Sequence, residues 1–214
     1  MRTALVTGGT RRIGLAIADR LRAGGWRVLT SSHRADAGAD IVADLSKPSG
    51  AAALYAGTMR ILGGNPPDAL VNNAAVLTGG DGEVENLNLE SPKQLTMLMA
   101  GRESGRGAVV NILDADVLVP PGARPPSPYE AAKRGLFEYT AKSAALFADT
   151  LRVNAVAPGP ALAPENVHIK AAATLTGRPT AEAVAEAVAY LLDAEAVTGC
   201  TIPVDCGQHL AAGG

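Results

Sequence analysis

Short apolar runs alternate along the chain with stretches in which apolar residues recur at a helical spacing. Each run is a few residues long and is bounded by glycine, proline or polar residues, as is typical of strands buried in a sheet. The runs predict strands at Thr3–Thr7, Arg27–Thr30, Ala39–Ala43, Ala69–Val71, Ala108–Leu113, Val153–Ala157 and Thr201–Val204.

Helices are predicted between these strands. In the first of them Ile13, Ile17 and Leu21 recur every fourth residue, and the pattern ends at Gly24. Further helical segments are predicted at Pro48–Leu62, Tyr129–Ala148 and Thr180–Asp193.

The alternation of strands and helices indicates the fold class. It is typical of a parallel sheet that is covered by helices on both faces. We therefore expect an α/β fold with a doubly wound (Rossmann) sheet of about seven strands. Because the sequence contains no linker or internal repeat, one domain is predicted over residues 1–214.

Composition and charge exclude several classes of function. Hydrophobic residues make up 47% and charged residues 19% of the 214 residues, so a large core can be buried. The formal net charge of −2 gives no electrostatic basis for binding nucleic acid or an anionic membrane. The apolar runs are also shorter than the ~18–20 residues that a membrane-spanning helix needs.

Cysteine usage and the N-terminus bear on the cellular compartment. Cys200 and Cys206 flank the last predicted strand, whose extended chain would hold them about 20 Å apart, too far for a disulfide. The N-terminus runs directly into the first strand without the apolar region of a signal peptide. A cytoplasmic protein with free thiols is expected. The three histidines are scattered, and no metal site is predicted.

A glycine turn after the first strand opens the first helix. In a dinucleotide-binding unit, glycine lets the backbone approach a pyrophosphate, and free N–H groups at the helix N-terminus face the anion. The candidate contacts are Gly8, Arg11, Arg12, Ile13 and Gly14. Alternatively, the two glycines serve only the turn and the packing of the helix.

The residues after the second strand bear on the choice of cofactor. Sites for NAD place Asp or Glu here, on the ribose 2′-hydroxyl, whereas sites for NADP place a cation near the 2′-phosphate. His33 and Arg34 follow this strand, and the first acidic residue is Asp36. Together with Arg11, these cations favour NADP(H), although a solvated basic corner would have the same composition.

Tyr129 and Lys133 are four residues apart on a predicted helix and therefore share one face. A phenol with an ordinary pKa near 10 is a poor acid–base catalyst at neutral pH. A nearby ammonium favours the phenolate, by about 4 kcal/mol at 4 Å and an effective dielectric constant of 20. The pair is therefore a candidate proton donor, although the same spacing also occurs on ordinary helix surfaces.

Further motifs follow the glycine turn in order, and together they are specific. They are Asp44-Leu45, Asn72-Asn73-Ala74-Ala75, Tyr129-Glu-Ala-Ala-Lys133, Ala157-Pro158-Gly159, Val197-Thr198-Gly199 and Val204-Asp205-Cys206-Gly207. On these motifs the chain resembles the short-chain dehydrogenase/reductase family over essentially its whole length.

The resemblance implies NAD(P)-dependent hydride transfer. It implies that Tyr129 supplies the proton that accompanies the hydride, and that Lys133 binds the nicotinamide ribose and lowers the pKa of the tyrosine. It also implies further cofactor contacts from Asp44, Leu45, Asn73, Ala74, Pro158 and Gly159.

Two departures from the family pattern point to a subgroup. Arg12 replaces the middle glycine of the turn, and an aspartate replaces the substrate-orienting serine after the fifth strand. With His33 and Arg34, these residues look like those of the pteridine reductases, a group that includes dihydromonapterin and dihydrofolate-type reductases. That resemblance implies that Arg12, an aspartate and Tyr129 contact a pterin substrate.

The replacing aspartate has two candidates. Counting three residues from Asn111 gives Asp114, whereas counting back from Tyr129 at the usual loop length favours Asp116. Asp114 is preferred because the loop Val117–Pro128 can absorb an insertion. A carboxylic acid of raised pKa could protonate a ring nitrogen while a C=N bond is reduced. Alternatively, both aspartates only cap the end of the strand.

The segments that would form the substrate pocket match the family least well. Asn88 resembles the family's helix asparagine, whose kinked backbone holds a proton-relay water, but most of the helix before it is missing and it could equally begin an ordinary helix. The loop Pro160–Leu175 is short where the family carries a substrate-covering loop. By family analogy a homo-oligomer, either a dimer or a tetramer, is expected.

Three functions remain open at this point. The leading one is an NADPH-dependent reductase acting on a small-molecule pterin, the second is a general carbonyl reductase, and the third is a non-catalytic NADP-binding module. The presence of Tyr129, Lys133 and an acid after the fifth strand argues against the third.

Overall fold

A parallel sheet organises the computed structural model, which describes residues 1–80, 82–103, 105–120, 124–161 and 178–211. In this part of the chain the strand order is β3-β2-β1-β4-β5-β6-β7. The strands are β1 (Thr3–Thr7), β2 (Arg27–Ser32), β3 (Ile41–Val42), β4 (Ala69–Asn72), β5 (Gly107–Ile112), β6 (Leu151–Pro158) and β7 (Thr201–Val204). The doubly wound α/β fold predicted from the sequence is confirmed.

Helices connect the strands. They are α1 (Arg12–Ala23), α2 (Gly50–Ile61), α3 (Glu83–Glu85), a π-helical turn (Asn86–Glu90), α4 (Ser91–Ala100), α5 (Pro128–Leu146), α6 (Ala181–Asp193) and α7 (Gln208–Ala211), with short 3-10 turns at Ala35–Ala37 and Ala115–Leu118. Within the described residues, none of these helices is long and apolar enough to cross a membrane.

The two faces of the sheet bury separate apolar clusters. In β1, Ala4 and Val6 face a cluster that includes α1 and α6, whereas Leu5 between them faces a cluster that includes α2, α4 and α5. Alternate residues of a strand point to opposite faces, and both faces are covered here. This explains why the predicted strands were continuous apolar runs.

The structure corrects two sequence predictions. The third strand covers only Ile41–Val42 instead of Ala39–Ala43, because Asp40 uses its carboxylate to accept hydrogen bonds from the N–H and hydroxyl of Thr30. Residues 83–100 form one helical segment with Asn88 in its middle, so Asn88 does not begin a helix. The π-helical turn lies just before Pro92, which cannot donate an N–H to the carbonyl four residues earlier.

Gly14 sets the position of α1 relative to the sheet. A Cβ at this residue would lie 2.2 Å from the backbone oxygen of Gly8 and 2.5 Å from Nδ2 of Asn73. The absence of a side chain therefore lets α1, the turn after β1 and the loop after β4 meet. Packing alone requires this glycine.

A substitution at Gly14 tests this constraint. We expect Gly14→Ala to lower the free energy of unfolding by at least about 2 kcal/mol, measured by urea denaturation, because the new methyl group overlaps a backbone carbonyl. Gly101→Ala is the control, since the nearest atom to its Cβ is 3.6 Å away and its φ is −72°. An equal effect at both positions would contradict this account of Gly14.

Candidate active site

A cleft of about 860 Å³ lies where β1, β2, β4, β5 and β6 end. This is the edge at which doubly wound sheets bind ligands. The cleft is lined by all the predicted cofactor contacts, namely Gly8, Arg11, Arg12, Ile13, Gly14, His33, Arg34, Asp44, Leu45, Asn73, Ala74, Tyr129, Lys133, Pro158 and Gly159, and by Asp114.

The N-terminus of α1 opens into this cleft. Among the described residues, no side chain caps the first N–H groups of the helix. These groups and the helix dipole favour an anion at this end. Gly8 has a φ of +63°, and a Cβ there would lie 3.2 Å from Cα of Ala74. The turn therefore lets a phosphate approach the backbone more closely than a residue with a side chain would allow.

Arg12 adopts a backbone conformation that normally favours glycine. Its φ is +53°, in the left-handed region, and it lines the cleft as the first residue of α1. Arg12 therefore occupies a conformation that glycine would adopt freely, at a strain of about 1–2 kcal/mol. Retaining an arginine in this position is consistent with a functional role for its guanidinium.

The end of β2 carries an ion pair that the sequence did not reveal. Nε and Nη2 of Arg34 donate to the two carboxylate oxygens of Asp36 at 2.9 and 2.7 Å. This bidentate contact lowers the pKa of Asp36 and raises that of Arg34. Both residues line the cleft beside His33. Arg34, the cation predicted to lie near the 2′-phosphate, is therefore already paired with Asp36.

Thr7 holds the loop after β4 in place. Its hydroxyl donates to the carbonyl of Val71 at 3.3 Å and accepts from the backbone N–H groups of Asn73 and Ala74 at 2.9 and 3.0 Å. Nδ2 of Asn73 donates to the carbonyls of Thr7 and Gly8. The motif Asn73-Ala74 is thus fixed to the glycine turn.

Leu45 is held by the helical segment that follows β4. Its carbonyl accepts from Oγ of Ser91 at 2.7 Å and from Nδ2 of Asn86 at 3.2 Å. Lys47 in the same loop forms an ion pair with Glu83 at 3.0 Å. Although this helical segment is short, it still positions the Asp44-Leu45 motif at the cleft.

Helix α5 begins with a complete capping box. Oγ of Ser127 accepts from the N–H of Glu130, and the Glu130 carboxylate accepts from the N–H of Ser127 at 2.7 Å. Arg124 also donates to both oxygens of Glu130, and its hydrogen bonds lower the pKa of that carboxyl to about 2. These contacts, with Pro128 in the first turn, fix the start of the helix that carries Tyr129.

Tyr129, Asp114 and Lys133 come together at the bottom of the cleft. The Tyr129 hydroxyl donates to Oδ2 of Asp114 at 2.5 Å. Nζ of Lys133 donates to the carbonyl of Ile112 at 2.8 Å and lies 5.7 Å from the centre of the tyrosine ring. Of the two candidate aspartates, Asp114 is the one that meets Tyr129, whereas Asp116 lies exposed in the turn that follows.

The electrostatics of this group correct the expected effect of Lys133 on Tyr129. Burial and the carboxylate of Asp114 raise the pKa of Tyr129 above its ordinary value. Burial also raises the pKa of Asp114 and lowers that of Lys133 to about 8. The lysine is bonded to a backbone carbonyl and not to the phenol, so Asp114 controls the tyrosine in this arrangement. The phenolic proton of Tyr129 lies in the hydrogen bond to Asp114.

Asn88 lies away from the other predicted site residues. Its side chain is completely buried, and within the described residues it is not part of the cleft lining. Nδ2 donates to the carbonyls of Val76 and Val84 at 2.8 Å, and Oδ1 accepts from the N–H of Val76. Its side chain therefore ties the π-helical turn to the loop after β4. Because Pro92 has no N–H, the backbone carbonyl of Asn88 lacks its usual α-helical donor.

Several lining residues were not predicted. They are Thr10, Ser31, Ser32, Asp36, Ala37, Ala43, Ser46, Ala75, Val76, Leu77, Glu83, Leu87, Ile112, Leu113, Pro160 and Ala161. Most are neighbours of predicted residues, and extending each motif by one or two positions would have found them. Glu83 and Leu87 come from the helical segment that the sequence did not reveal. The predicted loop Pro160–Leu175 lies outside the described residues beyond Ala161.

Comparisons with known proteins agree with this architecture. A family model described as Enoyl-(Acyl carrier protein) reductase matches residues 8–209. The chain is 30% identical to Glucose 1-dehydrogenase 2 of Bacillus subtilis (98% of this chain, 95% of that protein). It is 31% identical to the 3-oxoacyl-(acyl-carrier-protein) reductase FabG of Pseudomonas aeruginosa (98% of each).

A solved structure is similar over the same extent. The FolM alternative dihydrofolate reductase 1 from Brucella canis, complexed with NADP, superposes with a TM-score of 0.83 at 30% identity, covering 98% of this chain and 95% of that one. The sheet and the cleft at its carboxyl edge are those of a Rossmann-type fold, and the family match and the relatives define an oxidoreductase. The chain belongs to the short-chain dehydrogenase/reductase family.

The backbone of Arg12 leads to a prediction about stability. We expect Arg12→Gly to be more stable than Arg12→Ala by about 1 kcal/mol in urea denaturation, because glycine accepts a positive φ without strain. At Arg22, in the last turn of α1, the order should reverse, since alanine is the better helix former there. A more stable alanine variant at position 12 would contradict the strain.

The pKa of Tyr129 leads to a second prediction. Asp114→Asn removes a negative charge that disfavours the phenolate, so the pKa of Tyr129 should fall by about 1 or more. NMR of tyrosine labelled with ¹³C at Cζ would show the phenolate at lower pH than in the wild type. Asp116→Asn, at the more distant carboxylate, should have a smaller effect. Equal shifts in both variants would show that the contact between Asp114 and Tyr129 does not control the titration.

Proposed function

We propose that the chain is an NADPH-dependent reductase that transfers a hydride to a pterin, of the dihydropteridine, dihydromonapterin or dihydrofolate type. The proposal rests on one observation above all, the 2.5 Å hydrogen bond from the Tyr129 hydroxyl to the half-buried carboxyl of Asp114. The family places a serine hydroxyl there. A carboxyl of raised pKa is suited to protonating a nitrogen next to the carbon that is reduced.

Several residues support NADP(H) as the cofactor. The uncapped N-terminus of α1 suits the pyrophosphate, and Arg34, His33 and Arg11 line the end of the cleft where a 2′-phosphate would lie. The Brucella protein of the same architecture was crystallised with NADP. When bound, the cofactor supplies the hydride.

The roles of the remaining residues follow from their positions. Asp114 and Tyr129 hold the proton that the product requires, and Lys133 would hydrogen-bond the nicotinamide ribose from the bottom of the cleft. Arg12 would contact both a cofactor phosphate and the substrate. Asn88 supports the loop at Val76, and by the family pattern its backbone carbonyl would hold a relay water. These assignments follow the family pattern and the geometry together.

A general carbonyl reductase is the second candidate. The curated relatives act, by name, on glucose and on 3-oxoacyl-(acyl-carrier-protein), and they are about as similar to this chain as the dihydrofolate reductase is. Carbonyl reduction needs the tyrosine and a hydrogen-bond donor, but it does not need a carboxylic acid at position 114. Residue 114 therefore separates the two candidates.

Assembly is expected to follow the family. We propose a homo-oligomer, a dimer or a tetramer, and the exposed apolar side chains of Met97 and Leu98 on α4 and of Leu146 on α5 support it.

The deciding measurement follows the oxidation of NADPH with dihydrobiopterin, dihydromonapterin and dihydrofolate, and with a panel of ketones and quinones. We expect turnover with at least one pterin. Asp114→Ser should lower pterin reduction at least about a hundredfold, because a general acid is removed, while any carbonyl reduction survives. Asp116→Ser is the matched control and should change neither reaction by more than about threefold.

Each other result has a definite meaning. Turnover of carbonyl compounds alone would replace the proposal with the carbonyl reductase. NADPH binding without turnover of any substrate would indicate the non-catalytic module.

A further inference from the structure

The short turn that follows β5 carries the candidate proton donor. We call residues Asp114–Val119 the donor turn, which consists of the 3-10 turn Ala115–Leu118 and its two flanking residues. Its apolar side chains at Val117 and Leu118 join a cluster with Leu136 of α5. The position of the Asp114 carboxyl therefore depends on how this turn lies against α5.

Arg134 binds the far end of the donor turn through its guanidinium. Nη2 donates to the carbonyls of Val119 and Asp116 at 2.9 and 3.2 Å, and Nη1 donates to the carbonyl of Val117 at 3.4 Å. The carbonyl of Asp116 also accepts from the N–H of Val119 at 3.3 Å, whereas the last carbonyls of a helical turn lack donors within the turn itself. A cation at that end also complements the dipole of the turn.

The same helix binds the near end of the turn. Tyr129 and Arg134 are both on α5, five residues apart, and the Tyr129 hydroxyl donates to Asp114 at 2.5 Å. The donor turn is thus attached to α5 at its first residue by the tyrosine and at its last residues by the arginine. Lys133, between them in sequence, binds the carbonyl of Ile112 just before the turn.

We propose that Arg134 is a positioning residue that fixes the donor turn on α5 and thereby holds the carboxyl of Asp114 against the hydroxyl of Tyr129. This inference rests on the proposed function, in which Asp114 and Tyr129 share the donated proton. Arg134 acts through the turn and touches neither substrate nor cofactor in this assignment.

The chemistry of the contact requires an arginine. A guanidinium carries five N–H donors in a rigid plane, so its two terminal nitrogens can reach three carbonyls at once. A lysine at this position would keep the charge, but its single ammonium cannot span the same three oxygens. The difference between arginine and lysine therefore separates the geometric role from the charge.

Loss of this attachment has a defined effect on Tyr129. The tyrosine faces Asp114 and Asp116 from the donor turn and Lys133 from its own helix. Burial and the two carboxylates all raise its pKa, so a turn that moves away and admits water must lower it. A role in stability alone would leave this titration unchanged.

The test compares Arg134→Met and Arg134→Lys with the wild type and with Arg22→Met, at an exposed arginine that pairs, within the described part of the chain, with its neighbour Asp19 on α1. The pKa of Tyr129 is followed by ¹³C NMR of labelled tyrosine, with Tyr129→Phe to assign the signal. The kcat and KM for NADPH and pterin and the thermal midpoint are measured on the same proteins.

We expect Arg134→Met to bring the Tyr129 titration to lower pH and to lower kcat between about tenfold and a hundredfold, since small displacements of catalytic groups have effects of that size. The Kd for NADPH should change less than about twofold, because Arg134 is outside the cofactor contacts. Arg134→Lys should lie between Arg134→Met and the wild type, and Arg22→Met should match the wild type.

Two results would overturn the inference. One is an unchanged Tyr129 titration in both Arg134 variants, even if the thermal midpoint falls, which would make the arginine purely structural. The other is a loss of NADPH affinity as large as the loss of kcat. If Arg134→Met does not fold, the comparison of Arg134→Lys with the wild type decides by the same criteria. The titration needs no substrate, so a failure to turn over pterins would count against the proposed function and not against the role of Arg134.

Discussion

The close contact between α1, the turn after β1 and the loop after β4 is the constraint on which the site depends. It exists because Gly14 has no side chain, and the oxygen of Gly8 and the amide of Asn73 occupy the space that a Cβ would need. Thr7 and Asn73 then join the glycine turn to the loop after β4, the strand that lies beside β1 on the side opposite β2. One edge of the sheet thus presents uncapped helix N–H groups and the Asn73-Ala74 loop to the same cleft.

The sequence was a good guide wherever a local pattern determines the structure. The glycine turn and the Asp44-Leu45 motif each follow a strand, and Tyr129 and Lys133 share one face of a helix. Their meeting in one cleft therefore followed from the alternation of strands and helices. The helical segment around Asn88 was not predictable in this way. A proline such as Pro92 is typical of the first turn of a helix, and the residues before it are glycine-rich and acidic, so the local pattern does not indicate a helix there. Long-range contacts from Asn88 to Val76 and from Ser91 to Leu45 hold that helix in place.

Electrostatics were the other property that sequence spacing could not give. The four-residue spacing placed Lys133 on the same face as Tyr129, but the ammonium is bonded to the carbonyl of Ile112. The tyrosine instead meets Asp114, which comes from a different element fifteen residues earlier in the chain. Burial depends on tertiary packing, and here it reverses the expected direction of the pKa shift of Tyr129. Likewise, Arg34 pairs with Asp36, so a carboxylate lies at the end of β2, where the sequence predicted a group of cations.

The capping box of α5 bears on how the site tolerates acid. In the proposed reduction Asp114 supplies a proton, and burial raises the pKa of its carboxyl, so the carboxyl becomes more fully protonated as the pH falls. Glu130 closes the first turn of α5, and the hydrogen bonds of Arg124 lower the pKa of its carboxyl to about 2. Its contribution to stability is therefore present above the ordinary carboxyl pKa and is lost only as the pH falls toward 2. The first turn of α5, which carries Tyr129, thus keeps its capping box at a pH that is low enough to protonate Asp114.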